Sequence, residues 1–196
     1  MRGWIALAGL LAAVAAVATL AGISPRAIDW QPSRALVEPW RALSAVAVHY
    51  SALHLAANLA GAALVGALGA AAGMSAPMVW AWAAAWPLTQ LGLLARPDLL
   101  HYGGLSGVLH AGAAIVAVQL LQRGPTARRI VGFALAAALV AKVLGEAPWG
   151  PPLRTPAGWD ITTAPLAHAT GLMAGVLCAL VAGAWPARSS NRHRDV

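Results

Sequence analysis

Long stretches without a single charged side chain constrain this sequence more than any other feature. No Asp, Glu, Lys or Arg occurs in residues 4–23, 42–94, 103–122 or 164–185. A helix that crosses a bilayer needs about 20 mostly apolar residues, so each stretch can supply at least one crossing. Only 10% of the 196 residues are charged, whereas soluble domains carry about 25%. The sequence therefore predicts a membrane protein rather than a soluble domain.

Apolar runs interrupted by polar residues, Pro and Gly predict six spanning helices. Their approximate ranges are 4–23, 49–71, 77–95, 104–122, 127–144 and 164–185. We expect one all-α, polytopic membrane domain over 1–196, with long connectors at 24–48 and 145–163 and a basic tail at 186–196. Residues 1–24 also fit a cleavable signal peptide, although their apolar run exceeds the roughly 7–15 residues usual for a signal core.

The net charge of +7 indicates membrane topology rather than nucleic-acid binding, because the arginines lie in connectors and the tail instead of along one helical face. Six crossings place both termini on one side. That side holds Arg2, Arg123, Arg128, Arg129, Arg188, Arg192 and Arg194. The other side holds Arg26, Arg34, Arg41, Arg96 and Arg154. The excess predicts cytoplasmic termini.

Polar side chains inside the apolar runs are the candidate functional residues, since lipid-facing helices gain nothing from them. They are His54, Asn58, Ser106, His110 and His168. All lie near the non-cytoplasmic ends of predicted helices 2, 4 and 6, so we expect them to meet at one depth. His54 and Asn58 are four residues apart and share a helical face.

Ser106 is the candidate nucleophile, and His168 is the candidate base. Ser106 opens predicted helix 4, where free backbone N–H groups and the helix dipole would stabilise a negative charge. Gly171 and Gly175 lie on the same stripe as His168 and would let helix 6 approach another helix closely. No carboxylate lies within helices 2, 4 or 6, so we predict a Ser–His dyad rather than a triad.

An oxyanion hole is predicted from the side chains of His54 and Asn58 and the backbone N–H of Ser106. Simpler interpretations exist for each residue. A serine at a helix start often only caps the helix, and membrane histidines and Gly-x-x-x-Gly spacings often only join helices. Cys178 is the only cysteine, so the sequence predicts neither a disulfide nor a cysteine metal site. We expect no metal and no cofactor.

Several motifs together resemble the rhomboid family of intramembrane serine proteases. Trp40-Arg41 precedes His49, His54 and Asn58, as in the family's first-loop Trp-Arg pair and His-x4-His-x3-Asn pattern. Gly104-Leu105-Ser106-Gly107 matches the Gly-x-Ser-Gly nucleophile motif, and His168, Gly171 and Gly175 match His-x2-Gly-x3-Gly. The resemblance implies catalytic roles for Ser106 and His168, with Gly104, Gly107, Gly171, Gly175 and His49 in support.

Position 110 departs from the common rhomboid pattern, which has a tyrosine that stacks on the catalytic histidine. The run Gly-Leu-Ser-Gly-Val-Leu-His, ending at His110, resembles the compact rhombosortase branch. That resemblance implies cleavage of membrane-anchored proteins with Gly-Gly-type C-terminal sorting tails. It also implies a multi-pass protein of the bacterial inner (plasma) membrane, with its active site facing the periplasmic or extracellular side. His110 either supports His168 or only packs against it.

Two other functions are compatible with six apolar helices. A proteolytically silent rhomboid-like protein would bind membrane clients but would lack the serine or the histidine, and both are present. A small transporter or channel would need acidic residues in mid-membrane and repeat symmetry, which the sequence does not have. The Pro-rich connector 145–163 is interpreted either as a lid or as an ordinary surface loop. The sequence leaves the oligomeric state open.

Overall fold

The computed structural model describes residues 1–158 and 160–184. The predicted basic tail, 186–196, and the residues Trp159 and Trp185 lie outside the described residues. Within the described part of the chain, the structure is helical with only isolated β-bridges. Its long helices are α1 (Arg2–Leu20), α2 (Ala52–Ala72), α3 (Ala76–Leu91), α4 (Ser106–Arg123), α5 (Thr126–Gly145) and α6 (Pro165–Ala184).

Two of the helix ends that differ from the sequence-based ranges have local physical reasons. The helix predicted from 49 begins at Ala52, because the Ser51 hydroxyl accepts a hydrogen bond from the His54 backbone N–H at 3.0 Å and caps it. The helix predicted to reach 95 ends at Leu91 and continues as a 3₁₀ turn, Gly92–Ala95. The first change places His54 in the first turn of α2.

α4 is the central helix of the bundle. It packs against α2, α3, α5 and α6, and most of its side chains are buried. Its small residues allow this crowding: a Cβ at Gly112 would lie 2.7 Å from the Trp82 ring. The indole N–H of Trp82 donates to the Val108 carbonyl at 2.8 Å, and its ring stacks on Trp4 with centroids 4.4 Å apart.

The outer surface of the bundle is apolar. α1, α2 and α6 are long and hydrophobic enough to cross a membrane. Large apolar side chains point outward on every long helix, and examples are Val17, Leu64, Trp80, Leu121, Phe133 and Leu177. A surface of this kind is stable in lipid and unstable in water. The chain is therefore an integral membrane protein.

The first connector is ordered by a buried arginine. Arg41 is 4% exposed and donates to the backbone carbonyls of Asp29 and Arg26 at 2.9 and 3.2 Å. Its guanidinium also pairs with the Asp29 carboxylate at 3.3 Å and with Glu38. Asp29 in turn contacts His101 at 2.7 Å, which ties the connector to the segment just before Ser106.

Candidate active site

Three helices begin at the same end of the bundle, and their first turns carry the candidate residues. His54 lies in the first turn of α2, Ser106 is the first residue of α4, and His168 lies in the first turn of α6. The chain enters α4 through Gly104, whose φ of +134° disfavours side chains. A Cβ there would lie 2.8 Å from His54 Nε2. Gly104 therefore lets the segment before Ser106 pass directly beside His54.

Ser106 and His168 are within hydrogen-bonding distance. The Ser106 Oγ lies 2.9 Å from His168 Nε2, although 62 residues separate them along the chain. His168 is buried. The serine hydroxyl can donate to this nitrogen when the imidazole proton is on Nδ1. This is the geometry in which an imidazole can remove a proton from a serine.

Glycines bring α4 and α6 into the contact that this pair requires. A Cβ at Gly171 would overlap the carbonyl oxygen of Gly107, and one at Gly175 would overlap that of Ala111. A Cβ at Gly107 would lie 2.7 Å from the Ala167 carbonyl. Side chains at these positions would separate the helices, and His168 would move away from Ser106 with α6.

His110 contacts both members of the pair. Its ring stacks on the His168 ring, with centroids 4.3 Å apart and planes 17° from parallel. Its Nδ1 lies 2.7 Å from the Ser106 carbonyl oxygen. A carbonyl only accepts, so Nδ1 of His110 carries a proton in this contact. His110 thus holds the face of the His168 ring in place from the next turn of α4.

His54 and Asn58 face the same cavity as the Ser106–His168 pair. This cavity, of about 490 Å³, is lined by His54, Asn58, Ser106, His110 and His168. The Asn58 amide donates to the His54 carbonyl at 3.1 Å. The ring centroids of His49 and His54 are 4.7 Å apart, so His49 packs against His54.

The sequence did not predict the contact between Glu146 and His168. The Glu146 Oε2 lies 2.6 Å from His168 Nδ1, on the side of the ring opposite Ser106. The prediction of a histidine without a carboxylate partner considered only helices 2, 4 and 6, whereas Glu146 caps the end of α5. Its spacing of four from Lys142 indicates only that these two side chains share a helical face, and it does not point to His168.

Lys142 is the second side chain that contacts the Glu146 carboxylate. Its ammonium donates to Glu146 Oε1 at 2.5 Å and lies 3.5 Å from His168 Nδ1. Partial burial would by itself raise the pKa of Glu146, but the hydrogen bonds from His168 and Lys142 outweigh burial and hold that pKa at about 2. Glu146 is therefore ionised throughout the physiological pH range.

The described residues of connector 145–163 lie beside the site. Arg154 donates to the Glu146 carbonyl at 2.6 Å, Arg96 donates to the Gly150 carbonyl at 2.6 Å, and Asp160 accepts from the Ser51 hydroxyl at 2.8 Å. Pro156 and Thr163 line the cavity beside Ser106. Within the described residues, no cluster of His, Cys, Asp and Glu has the arrangement of a metal site.

Comparison with known families gives one match. The family model for the Rhomboid domain matches residues 37–185, which is more than half of the chain. The matched range contains all the residues that line the cavity. No curated protein matches the chain.

Proposed function

This chain belongs to the rhomboid family, and from that membership we propose that it is an intramembrane serine endopeptidase with Ser106 as nucleophile and His168 as base. Rhomboid proteins are generally serine proteases that act on membrane proteins with helical segments. The observation that carries the proposal is the distance of 2.9 Å between Ser106 Oγ and His168 Nε2. The silent rhomboid-like alternative has no need of such a contact.

In the proposed reaction, Ser106 Oγ bonds to the scissile carbonyl carbon while its proton passes to His168 Nε2. The negative charge on the carbonyl oxygen is stabilised by His54, Asn58 and the Ser106 backbone N–H, each donor contributing about 10²–10³ in rate. His168 then returns the proton to the leaving nitrogen as the C–N bond breaks. Water, activated by the same imidazole, releases the acyl group from Ser106.

The proposed cleavage position is near the outer face of the membrane. Ser106, His54 and His168 lie in the first turns of their helices. This end of the bundle is opposite Arg123, Arg128 and the N-terminus, which contacts Met74. The positive-inside rule assigns that arginine-containing end to the cytoplasm. A substrate helix must unwind here, because a helical carbonyl is hydrogen-bonded and hidden.

The proposed substrate class is a C-terminal sorting tail of the Gly-Gly type, as in the rhombosortase branch. The support is the run ending at His110, together with the stacking of His110 on His168. Glycines unwind a helix at low cost and present no side chain to the cavity beside Ser106. The proposed location is a bacterial inner membrane.

Reporter cleavage in membranes tests the proposal. We expect wild type to release the tail of a Gly-Gly reporter, Ser106→Ala to release none, and Ser75→Ala to match wild type. Ser75 is a suitable control because it lies at the opposite end of the bundle, before α3. A reporter with Val-Val in place of Gly-Gly should be cleaved poorly. Cleavage that persists in Ser106→Ala contradicts the protease assignment, and binding without cleavage by either protein favours the silent alternative.

A further inference from the structure

The carboxylate of Glu146 is placed where it can position the proposed catalytic base. Its Oε2 is 2.6 Å from His168 Nδ1, while the Ser106 Oγ is 2.9 Å from His168 Nε2. The three groups therefore form one continuous chain through both ring nitrogens of a single imidazole. A neutral imidazole has one N–H and one acceptor nitrogen, so the partner on one side fixes the role of the other side.

We propose that Glu146 is a positioning residue that holds His168 with its proton on Nδ1, so that Nε2 is free to accept the Ser106 proton. The inference rests on the proposed protease function. An ionised carboxylate only accepts hydrogen bonds, and therefore Nδ1 must donate to it. The functional centre is then a Ser–His–Glu chain whose third member comes from the end of α5 rather than from the helices that carry the family motifs.

The other contacts of the ring do not supply this function. Lys142 lies 3.5 Å from Nδ1, and an ammonium has no lone pair to accept a proton from that nitrogen. His110 touches the ring by its face, which restrains its tilt but selects neither nitrogen. Among the described contacts of the ring, Glu146 alone both fixes the tautomer and limits rotation of the ring about its Cβ–Cγ bond.

Glu146 also has an electrostatic role during the reaction. When Ser106 Oγ attacks, its proton moves to Nε2, and His168 becomes a cation with both nitrogens protonated. Without Glu146, the Lys142 ammonium, 3.5 Å from Nδ1, would repel the His168 cation. The Glu146 carboxylate accepts from both Lys142 and His168, at 2.5 and 2.6 Å, and so balances the ammonium while remaining ionised. Its removal would leave two positive groups side by side.

The expected loss of activity on changing Glu146 is smaller than for a carboxylate that is fully buried. The Glu146 side chain is 30% exposed, and water can partly replace it. For Glu146→Gln we expect kcat to fall about 10- to 100-fold, as for the loss of a charged hydrogen bond. KM for the reporter should change less than kcat, because the contact of Glu146 with His168 strengthens only as the imidazole becomes a cation. Glu146→Asp should retain more activity than Glu146→Gln, since it keeps the charge.

Asp98→Asn is the matched control. It removes one carboxylate from the outer connectors, where Asp98 is 54% exposed and pairs only with Arg96 among the contacts described. Its kcat should equal that of wild type. If Asp98→Asn lowers kcat as much as Glu146→Gln, the effect is one of overall charge and the positioning role is wrong. If Glu146→Gln leaves kcat unchanged, the role is also wrong.

A spectroscopic measurement decides the inference even if the reporter is not a substrate. In protein labelled with ¹⁵N-histidine, wild type should show His168 with its proton on Nδ1 and a strongly deshielded Nδ1–H resonance, assigned by its loss in His168→Ala. Glu146→Ala should lose that resonance, whereas Glu146→Gln, whose amide oxygen can still accept, should shift it to a less deshielded position. The opposite tautomer in wild type, or an identical spectrum in Glu146→Gln, would overturn the inference. Failure of Ser106-dependent cleavage would instead count against the proposed function.

Discussion

Asn58 offers one amide to a cavity that also holds Ser106 and His168. If this amide donates to the oxyanion, Asn58→Ala should lower kcat by about 10²–10³. KM should change little, because the contact forms only in the transition state. Steady-state cleavage of the reporter measures both constants. An unchanged kcat in Asn58→Ala would remove the amide from the oxyanion hole.

His110 supplies a flat ring against His168, with centroids 4.3 Å apart. An aromatic pair of this kind contributes about 0.5–1.5 kcal/mol, so His110→Ala should slow cleavage by about 2- to 10-fold. His110→Phe keeps the stacked ring and loses only the contact of Nδ1 with the Ser106 carbonyl. We therefore expect it to retain most of the activity. Equal rates in His110→Ala and wild type would mean that the ring only fills space.

Residues with a motif around them were predictable, and Glu146 was not. Ser106 and His168 lie in apolar runs where any polar group is conspicuous. Glu146 lies at the boundary of a connector, where acidic residues are ordinary. Its contact with His168 depends on where α5 ends relative to α6, and no spacing within either helix encodes that distance.

The close contact between α4 and α6 depends on glycines at the positions where the two helices touch. In Gly171→Ala the new methyl group would overlap the Gly107 carbonyl. Overpacking of this kind costs about 1–3 kcal/mol, and it should move His168 away from Ser106. We expect Gly171→Ala to lose most of its cleavage activity and to unfold at a lower temperature in micelles.

Gly9→Ala is the control for this substitution. Gly9 is also inside a long helix, but no atom lies within 4 Å of the position that its Cβ would take. The change should leave activity intact and stabilise the protein slightly, by up to about 1 kcal/mol. Similar losses of activity and stability in both variants would show that the helices tolerate no added methyl group. The specific requirement for the contact between α4 and α6 would then be wrong.

The positions of the long helices followed from the apolar runs, whereas their ends did not. Hydrophobicity fixes where a chain can cross lipid, and the long helices lie within or near the predicted ranges. Ends are set by single contacts, such as the Ser51 cap at α2 and the turn at Gly92 after α3. The short helices of the first connector, among them Arg41–Ser44, carry no hydrophobic pattern that would have predicted them.

Across the whole molecule, the network of Arg41, Asp29 and His101 joins the first connector to the segment before Ser106. Asp29 is 1% exposed, so Arg41→Ala would leave a buried carboxylate without its arginine, with Gln31 and His101 as its remaining side-chain partners. Breaking a buried pair in this way costs about 3–5 kcal/mol. We expect Arg41→Ala to lower the unfolding temperature markedly and to reduce activity in proportion to the unfolded fraction.

Arg34→Ala provides the comparison for Arg41→Ala. Arg34 also pairs with Glu38, at 3.0 Å, but its side chain is 48% exposed, and exposed pairs contribute about 0–1 kcal/mol. Its thermal unfolding should match that of wild type. A loss in Arg34→Ala as large as in Arg41→Ala would contradict the assignment of the stabilising contact to the buried network.

Active-site labelling tests the central claim most directly, because it depends on neither the substrate nor the cleavage position. Membranes containing the protein are treated with a fluorophosphonate, and the modified residue is identified by mass spectrometry. We predict modification of wild type at Ser106 and none in Ser106→Ala or His168→Ala, since the hydroxyl is unreactive without its base. Modification at another residue, or undiminished labelling of His168→Ala, would contradict the pairing of Ser106 with His168 on which the account depends.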